Sequence, residues 1–153
     1  MQITISIVIC TKDRPKILNR CLIAIFQGSK IPNEIIVSDD SAQGEKNMNI
    51  CGMFPRVIYV RGPQRGLCAN RNFAIQTARA DFVSLLDDDT IVGTDFVSKC
   101  FNLIANAQSK IIWTGPILEA KDANPFLSYL GFSMLCRRDI FSIADDASRP
   151  GDI

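Results

Sequence analysis

The stretch FVSLLDDDT, residues 82–90, runs from an apolar segment straight into three consecutive aspartates. A short apolar run that stops at a polar cluster reads as a strand buried on both faces, the kind that lies between two helix layers. Two other stretches repeat the pattern. ITISIVIC (3–10) leads into TKDR (11–14), and EIIVS (34–38) leads into DDSAQG (39–44). RVIYV (56–60) supplies a further strand.

The segments between these strands have helical spacing. In RPKILNRCLIAIFQ (14–27), Pro15 stands near the start and Ile17, Leu18, Cys21, Leu22, Ile25 and Phe26 recur on one face. A short helix is expected around 42–53, and GLCANRNFAIQTARA (66–80) reads as a loop entering a helix. Another helix starts at about Thr94, with Thr94 or Asp95 as its cap. KIIWTGPI (110–117) reads as a later strand, and 129–141 as a less regular segment. Strands alternating with helices predict an α/β fold with a mostly parallel sheet flanked by helices. With no repeat and no linker, residues 1–153 read as a single domain.

Composition narrows the function. Seventeen Lys plus Arg against 16 Asp plus Glu make the chain nearly neutral, which argues against bulk nucleic-acid or membrane-surface binding. No apolar stretch approaches the ~20 residues of a membrane span, and no charged-then-apolar signal opens the sequence, so a cytoplasmic product is expected. The six cysteines (10, 21, 51, 68, 100, 136) form no C-x-x-C pair and lie mostly within apolar segments. They read as packing residues of a protein in a reducing compartment. Histidine is absent, which excludes histidine-based zinc sites and Ser-His or Cys-His nucleophile systems. Acid–base chemistry therefore falls to carboxylates.

In an open parallel sheet the carboxyl ends of the strands share one edge, and ligands bind there. Three acidic strand ends would bring Asp13, Asp39, Asp40, Asp87, Asp88 and Asp89 to that edge, where they repel unless a cation or several hydrogen-bond donors neutralise them. A divalent Mg²⁺ or Mn²⁺ meets that need economically, binding through one or two carboxylates and completing its shell with water and substrate phosphates. The expected ligand is a phosphate ester, with Arg14, Arg65 and Arg71 available for its charge. Taken singly, each residue has a plainer reading: the acidic run as a turn or cap, Asp13 as a surface partner of Arg14, Arg65 as an exposed loop residue, Arg71 as part of a solvated helix face. Three acidic strand ends together favour the site.

Four stretches in order, ISIVICTKDRP, EIIVSDDSAQG, GLCANRNFAI and ADFVSLLDDDTIV, resemble the nucleotide-sugar domain of family 2 glycosyltransferases. The resemblance covers roughly residues 3 to 140 and implies a Rossmann-like GT-A nucleotide-diphospho-sugar transferase fold. It implies that Thr11 and Asp13 surround the nucleotide base, that Asp40 accepts the imide N–H of uracil, and that Arg71 serves the nucleotide and diphosphate. Asp87 and Asp89 match the ends of the family's D-x-D motif, with Asp89 the direct metal ligand and Asp88 close to the sugar or ribose. The implied chemistry is transfer from a nucleotide-diphosphate donor, a UDP-sugar, to an acceptor hydroxyl with inversion.

The family's base lies in a Glu-Asp motif beyond the segment matching RRDIF (137–141), and that motif is missing here. By position Asp145, Asp146 and Asp152 are the base candidates, against a plainer reading as a polar tail. With no acceptor wall following, the sequence reads as a donor-binding part, truncated or naturally short. An apolar surface left uncovered would then favour a homo-oligomer. The alternative is a non-catalytic nucleotide-sugar-binding domain. A phosphatase reading of LLDDDTIV fails on Ile91 and on the motif's place in the chain, and a nucleotidyltransferase reading lacks a glycine-rich loop in TKDRP. The acceptor, whether polysaccharide, lipid-linked sugar or protein, is not encoded in these motifs.

Overall fold

The computed structural model describes residues 2–106, 113–114 and 133–137. Strands β1 (Ile5–Thr11), β2 (Glu34–Asp39), β3 (Val57–Arg61) and β4 (Phe82–Asp87) pair in parallel, in the spatial order β3-β2-β1-β4. Two antiparallel strands extend the sheet beyond β4: β6 (Ser133–Arg137) next to β4, then β5 (Trp113–Thr114) at the edge. The mostly parallel α/β sheet expected from the sequence is thus present. The segment read as irregular at 129–141 contains β6.

Helices α1 (Pro15–Phe26), α2 (Glu45–Cys51), α3 (Leu67–Thr77) and α4 (Phe96–Ala105) are the connections. Pro15 sits in the first turn of α1, where its missing N–H costs no helical bond and its fixed φ suits the helix. At the start of α4, Asp95 is the N-cap but makes no side-chain cap bond; its carboxylate pairs with Lys99 at 2.7 Å instead.

Strand alternation divides the core into two layers. Ile7, Ile9, Ile35, Val37 and Leu86 face one side of the sheet, where they pack with Leu18, Cys21, Leu22 and Ile25 of α1, Cys51 of α2 and Val97 of α4. Val8, Cys10, Ile36, Val83 and Leu85 face the other, against Ala74 and Ile75 of α3. This parity continues past the last apolar residue of each strand and decides where the polar side chains go. The register places Thr11 opposite Asp39, Cys10 opposite Asp87 and Asp39 opposite Arg61, so the four parallel strands end together. Among the described residues, no helix is long and apolar enough to cross a membrane.

Candidate functional site at the carboxyl edge of the sheet

The consecutive aspartates after β4 divide between the two layers. Asp87 continues the parity of Val83 and Leu85 toward α3, and Arg71 on that helix meets its Oδ1 through Nη2 at 2.5 Å. Asp88 continues the parity of Leu86 toward α1 and is fully buried. Its Oδ2 accepts a hydrogen bond from Thr11 Oγ1 at 2.7 Å, and Arg14, just before α1, places Nη2 2.6 Å from its Oδ1. Arg14 also reaches Asp89, with Nη1 3.6 Å from Oδ2. Three like charges stand together because arginines from opposite layers counter them.

Burial pushes the Asp88 carboxyl above the ordinary carboxylate range, with the charges of Asp89 and Asp87 adding to the shift; the Thr11 hydrogen bond and the Arg14 charge oppose it. Asp87 and Asp89 keep more solvent access, their side chains 29% and 60% exposed.

The end of β2 is built in the same way. Asp39 shares the parity of Ile35 and Val37 and is buried, accepting hydrogen bonds from the Ser41 backbone N–H at 2.9 Å, from Ser41 Oγ and from the Tyr59 hydroxyl at 2.9 Å. Its carboxylate is thereby committed to the protein interior. Asp40 turns the other way, where its Oδ1 accepts the Gln64 backbone N–H at 2.9 Å. Asp13 is exposed with its backbone at φ 54, a region non-glycine residues seldom occupy. Its N–H donates to Ser41 Oγ at 2.6 Å, and the Asp40 N–H donates to the Thr11 carbonyl at 2.9 Å, so the loops after β1 and β2 hold each other.

The structure therefore brings Thr11, Asp13, Arg14, Asp40, Arg71, Asp87, Asp88 and Asp89 to one edge. Asp39, expected among them as a charge at the edge, has its carboxylate tied to Ser41 and Tyr59. Arg65 is exposed on the loop before α3 and forms no ion pair with another described residue. Ser41 and Tyr59, which no sequence motif marked, brace the site from behind. Asp145, Asp146 and Asp152 lie outside the described residues. Among the described residues, no three Cys, Asp or Glu side chains gather closely enough to enclose a metal. Two partly exposed carboxylates flanking a buried one suit a hard cation that takes most of its shell from water and phosphate.

An α/β sheet with a polar carboxyl edge of this kind, and a mostly parallel order with antiparallel strands beyond β4, defines a GT-A nucleotide-sugar transferase fold. The backbone superimposes on S. aureus TarS 1-349 in complex with UDP-GlcNAc with a TM-score of 0.74 at 16% identity, covering 94% of this chain and 48% of that one. It superimposes on the mannosyltransferase PcManGT of Pyrobaculum calidifontis in complex with GDP-Man and Mn²⁺ with a TM-score of 0.72 at 15% identity, covering 100% of this chain and 49% of that one. Residues 6–142 match Glycosyl transferase family 2, and the chain belongs to that family. Chondroitin synthase of Pasteurella multocida (strain Pm70) is 38% identical over 93 residues, which are 57% of this chain and 10% of that protein. The chain thus spans a small part of that relative and about half of each solved structure.

Proposed function

We propose that the carboxyl edge binds a nucleotide-diphospho-sugar, a UDP-sugar, with Mg²⁺ or Mn²⁺, and that the chain is the donor side of an inverting glycosyltransferase acting on an acceptor hydroxyl in polysaccharide synthesis. The observation that carries this reading is the joining of two strand ends at Asp88, which follows β4 and is buried yet tied to Thr11 of β1 and to Arg14 before α1. Thr11 and Asp13 flank the base, and Asp40 offers its carboxylate to the uracil imide N–H. Asp87 and Asp89 are the carboxylates that would hold the cation, Asp89 the more directly because it is the more exposed. The cation, when bound, neutralises charge on the diphosphate as the leaving group forms.

Arg14 and Arg71 then have a second partner available. Each guanidinium holds an aspartate in the free protein, and both carry donors that suit phosphate oxygens. Their charge at the diphosphate would stabilise the departing nucleotide. Asp88, held by Thr11 and Arg14, would stand close to the ribose or sugar hydroxyls. Proton removal from the acceptor would fall to Asp145, Asp146 or Asp152. The unpaired cysteines among the described residues accord with the cytoplasm. A homo-oligomer would cover whatever apolar surface the domain exposes.

Calorimetric titration of UDP with and without Mn²⁺, on the wild type and on Asp89→Ala, tests the proposal. Metal-dependent binding that the variant loses is the expected result. Absence of binding for UDP, dTDP and GDP alike to folded protein would overturn it. UDP binding with neither donor hydrolysis nor transfer would leave a nucleotide-sugar-binding module without turnover.

A further inference from the structure

The loop after β3, GPQRG (62–66), contributes two residues to the environment of Asp40 that no sequence motif singled out. Gly62 has no left-handed φ, so backbone conformation is not what calls for glycine there. Space is. A Cβ at position 62 would stand 2.2 Å from Asp40 Oδ1 and 2.5 Å from Asn70 Oδ1, both far inside contact distance. The two neighbours differ in their freedom to yield. Asn70 is buried and clamped at both ends of its amide, accepting from Ser38 Oγ at 2.5 Å and donating from Nδ2 to the Ser38 carbonyl at 3.1 Å. The Asp40 carboxylate is steered by the Gln64 N–H at 2.9 Å.

Gln64 is itself tied to the same turn. Its backbone sits at φ 55, and its side-chain Nε2 donates to the Ser41 carbonyl at 3.2 Å, so the residue grips the Asp40–Ser41 turn from main chain and side chain together. With Oδ1 occupied in this way, Oδ2 is the oxygen left to meet a ligand donor.

We propose that Gly62 and Gln64 are positioning residues that set nucleobase selectivity: Gly62 clears the space for the Asp40 carboxylate, and the Gln64 N–H turns its second oxygen toward the ring N–H of a uracil base. This inference rests on the UDP-sugar reading above. Uracil presents an N–H to that oxygen, whereas cytosine presents a ring nitrogen lone pair, which a carboxylate repels. A methyl group at position 62 would push the carboxylate off its bearing and remove the distinction.

The test is calorimetric titration of UDP and of CDP, with Mn²⁺ present, on the full chain as wild type, Gly62→Ala, Asp40→Ala and the Asp40→Ala/Gly62→Ala double variant. Wild type should prefer UDP by on the order of tenfold or more, as a hydrogen bond to a charged group allows. Gly62→Ala should lose that preference, and in the Asp40→Ala background, where only the contact with Asn70 Oδ1 remains, it should leave the UDP-to-CDP ratio unchanged. A folded Gly62→Ala protein that keeps the wild-type ratio overturns the proposal, as does one that weakens UDP by the same factor in both backgrounds. If Gly62→Ala does not fold, Asn70→Ala/Gly62→Ala, which removes the contact with the clamped amide, is titrated in its place against Asn70→Ala alone: loss of the UDP preference is expected, and an unchanged ratio overturns the proposal. Equal binding of UDP and CDP by the wild type would instead overturn the uracil reading itself, and this inference with it.

Discussion

Removing Arg14 should cost far more stability than neutralising the aspartate it pairs with. Asp88 has no solvent access, while the Arg14 side chain is 47% exposed. Arg14→Ala therefore strands a buried carboxylate with only its Thr11 hydrogen bond, at a cost of ~1–3 kcal/mol. In a domain of this size that lowers the melting temperature by roughly 3–10 °C. Asp88→Asn leaves a carbonyl oxygen for Thr11 Oγ1 and an uncharged Nδ2 in place of Oδ1, beside a guanidinium that can turn to water, so it should lose only about 1 kcal/mol, less than Arg14→Ala. The pH dependence has a definite sign. Burial raises the folded pKa of Asp88, so its contribution to stability is most favourable at low pH and is lost as pH rises through the folded value. Without Arg14 that pKa rises further, and the gap between Arg14→Ala and wild type should be widest at pH 7 and shrink toward pH 4. Urea unfolding of the three proteins across that range measures it. An Asp88→Asn protein as destabilised as Arg14→Ala, or a gap independent of pH, would refute the reasoning.

Two further outcomes follow from the same geometry. Burial raises the thiol pKa of Cys10, Cys21 and Cys51 to about 12 and of Cys100 to about 11, whereas Cys68 is exposed. Iodoacetamide at pH 8 should therefore label Cys68 in the native protein and reach those four only after denaturation, as read by peptide mass mapping. Ser41→Ala removes the acceptor for the Asp13 N–H and a donor to buried Asp39, and should lower urea-unfolding stability by ~1–3 kcal/mol. A loss under 0.5 kcal/mol, the range of ordinary surface substitutions, would show that the two loops do not depend on it.

The parallel strands were legible because each is a short apolar run with buried residues on both faces and an abrupt polar end. Their limits fall within a residue or two of those expected, as for β1 at Ile5–Thr11 and β4 at Phe82–Asp87. β6 was not legible: SMLCR has no β-branched residue, and it is a strand through its antiparallel pairing with β4. At the site, the acids were visible as a group because all follow strand ends. Their partners were less so. Pairing Arg71 with Asp87 requires knowing that α3 covers the face of Val83 and Leu85. The commitment of Asp39 to Tyr59 depends on the β2–β3 register, which sets Val37 opposite Tyr59. Gly62 and Gln64 act through a loop that returns to Asp40 across 22 residues or more of chain, a closeness no local spacing encodes.

The repulsion that three adjacent aspartates imply is relieved by alternation along the strand. Successive side chains leave a strand in opposite directions, so Asp87 and Asp88 reach separate helix layers and separate arginines, and only Asp89 remains largely in water. The same alternation sends Asp39 inward to brace the loop and Asp40 toward α3 and Gly62. Each acidic pair thus supplies one structural carboxylate and one nearer the ligand edge. Because Arg14 and Arg71 already hold aspartates in the free protein, a diphosphate entering with its cation would exchange partners with them. Charge would then be conserved at the edge through binding, since the cation would take the place of the guanidiniums at Asp87 and Asp89 while Arg71, and Arg14 through Nη1 with Nη2 still on Asp88, would turn to phosphate. On that account, replacing either arginine by glutamine should tighten binding of Mn²⁺ alone and weaken binding of UDP with Mn²⁺. Titrations that moved both affinities in one direction would argue against exchange.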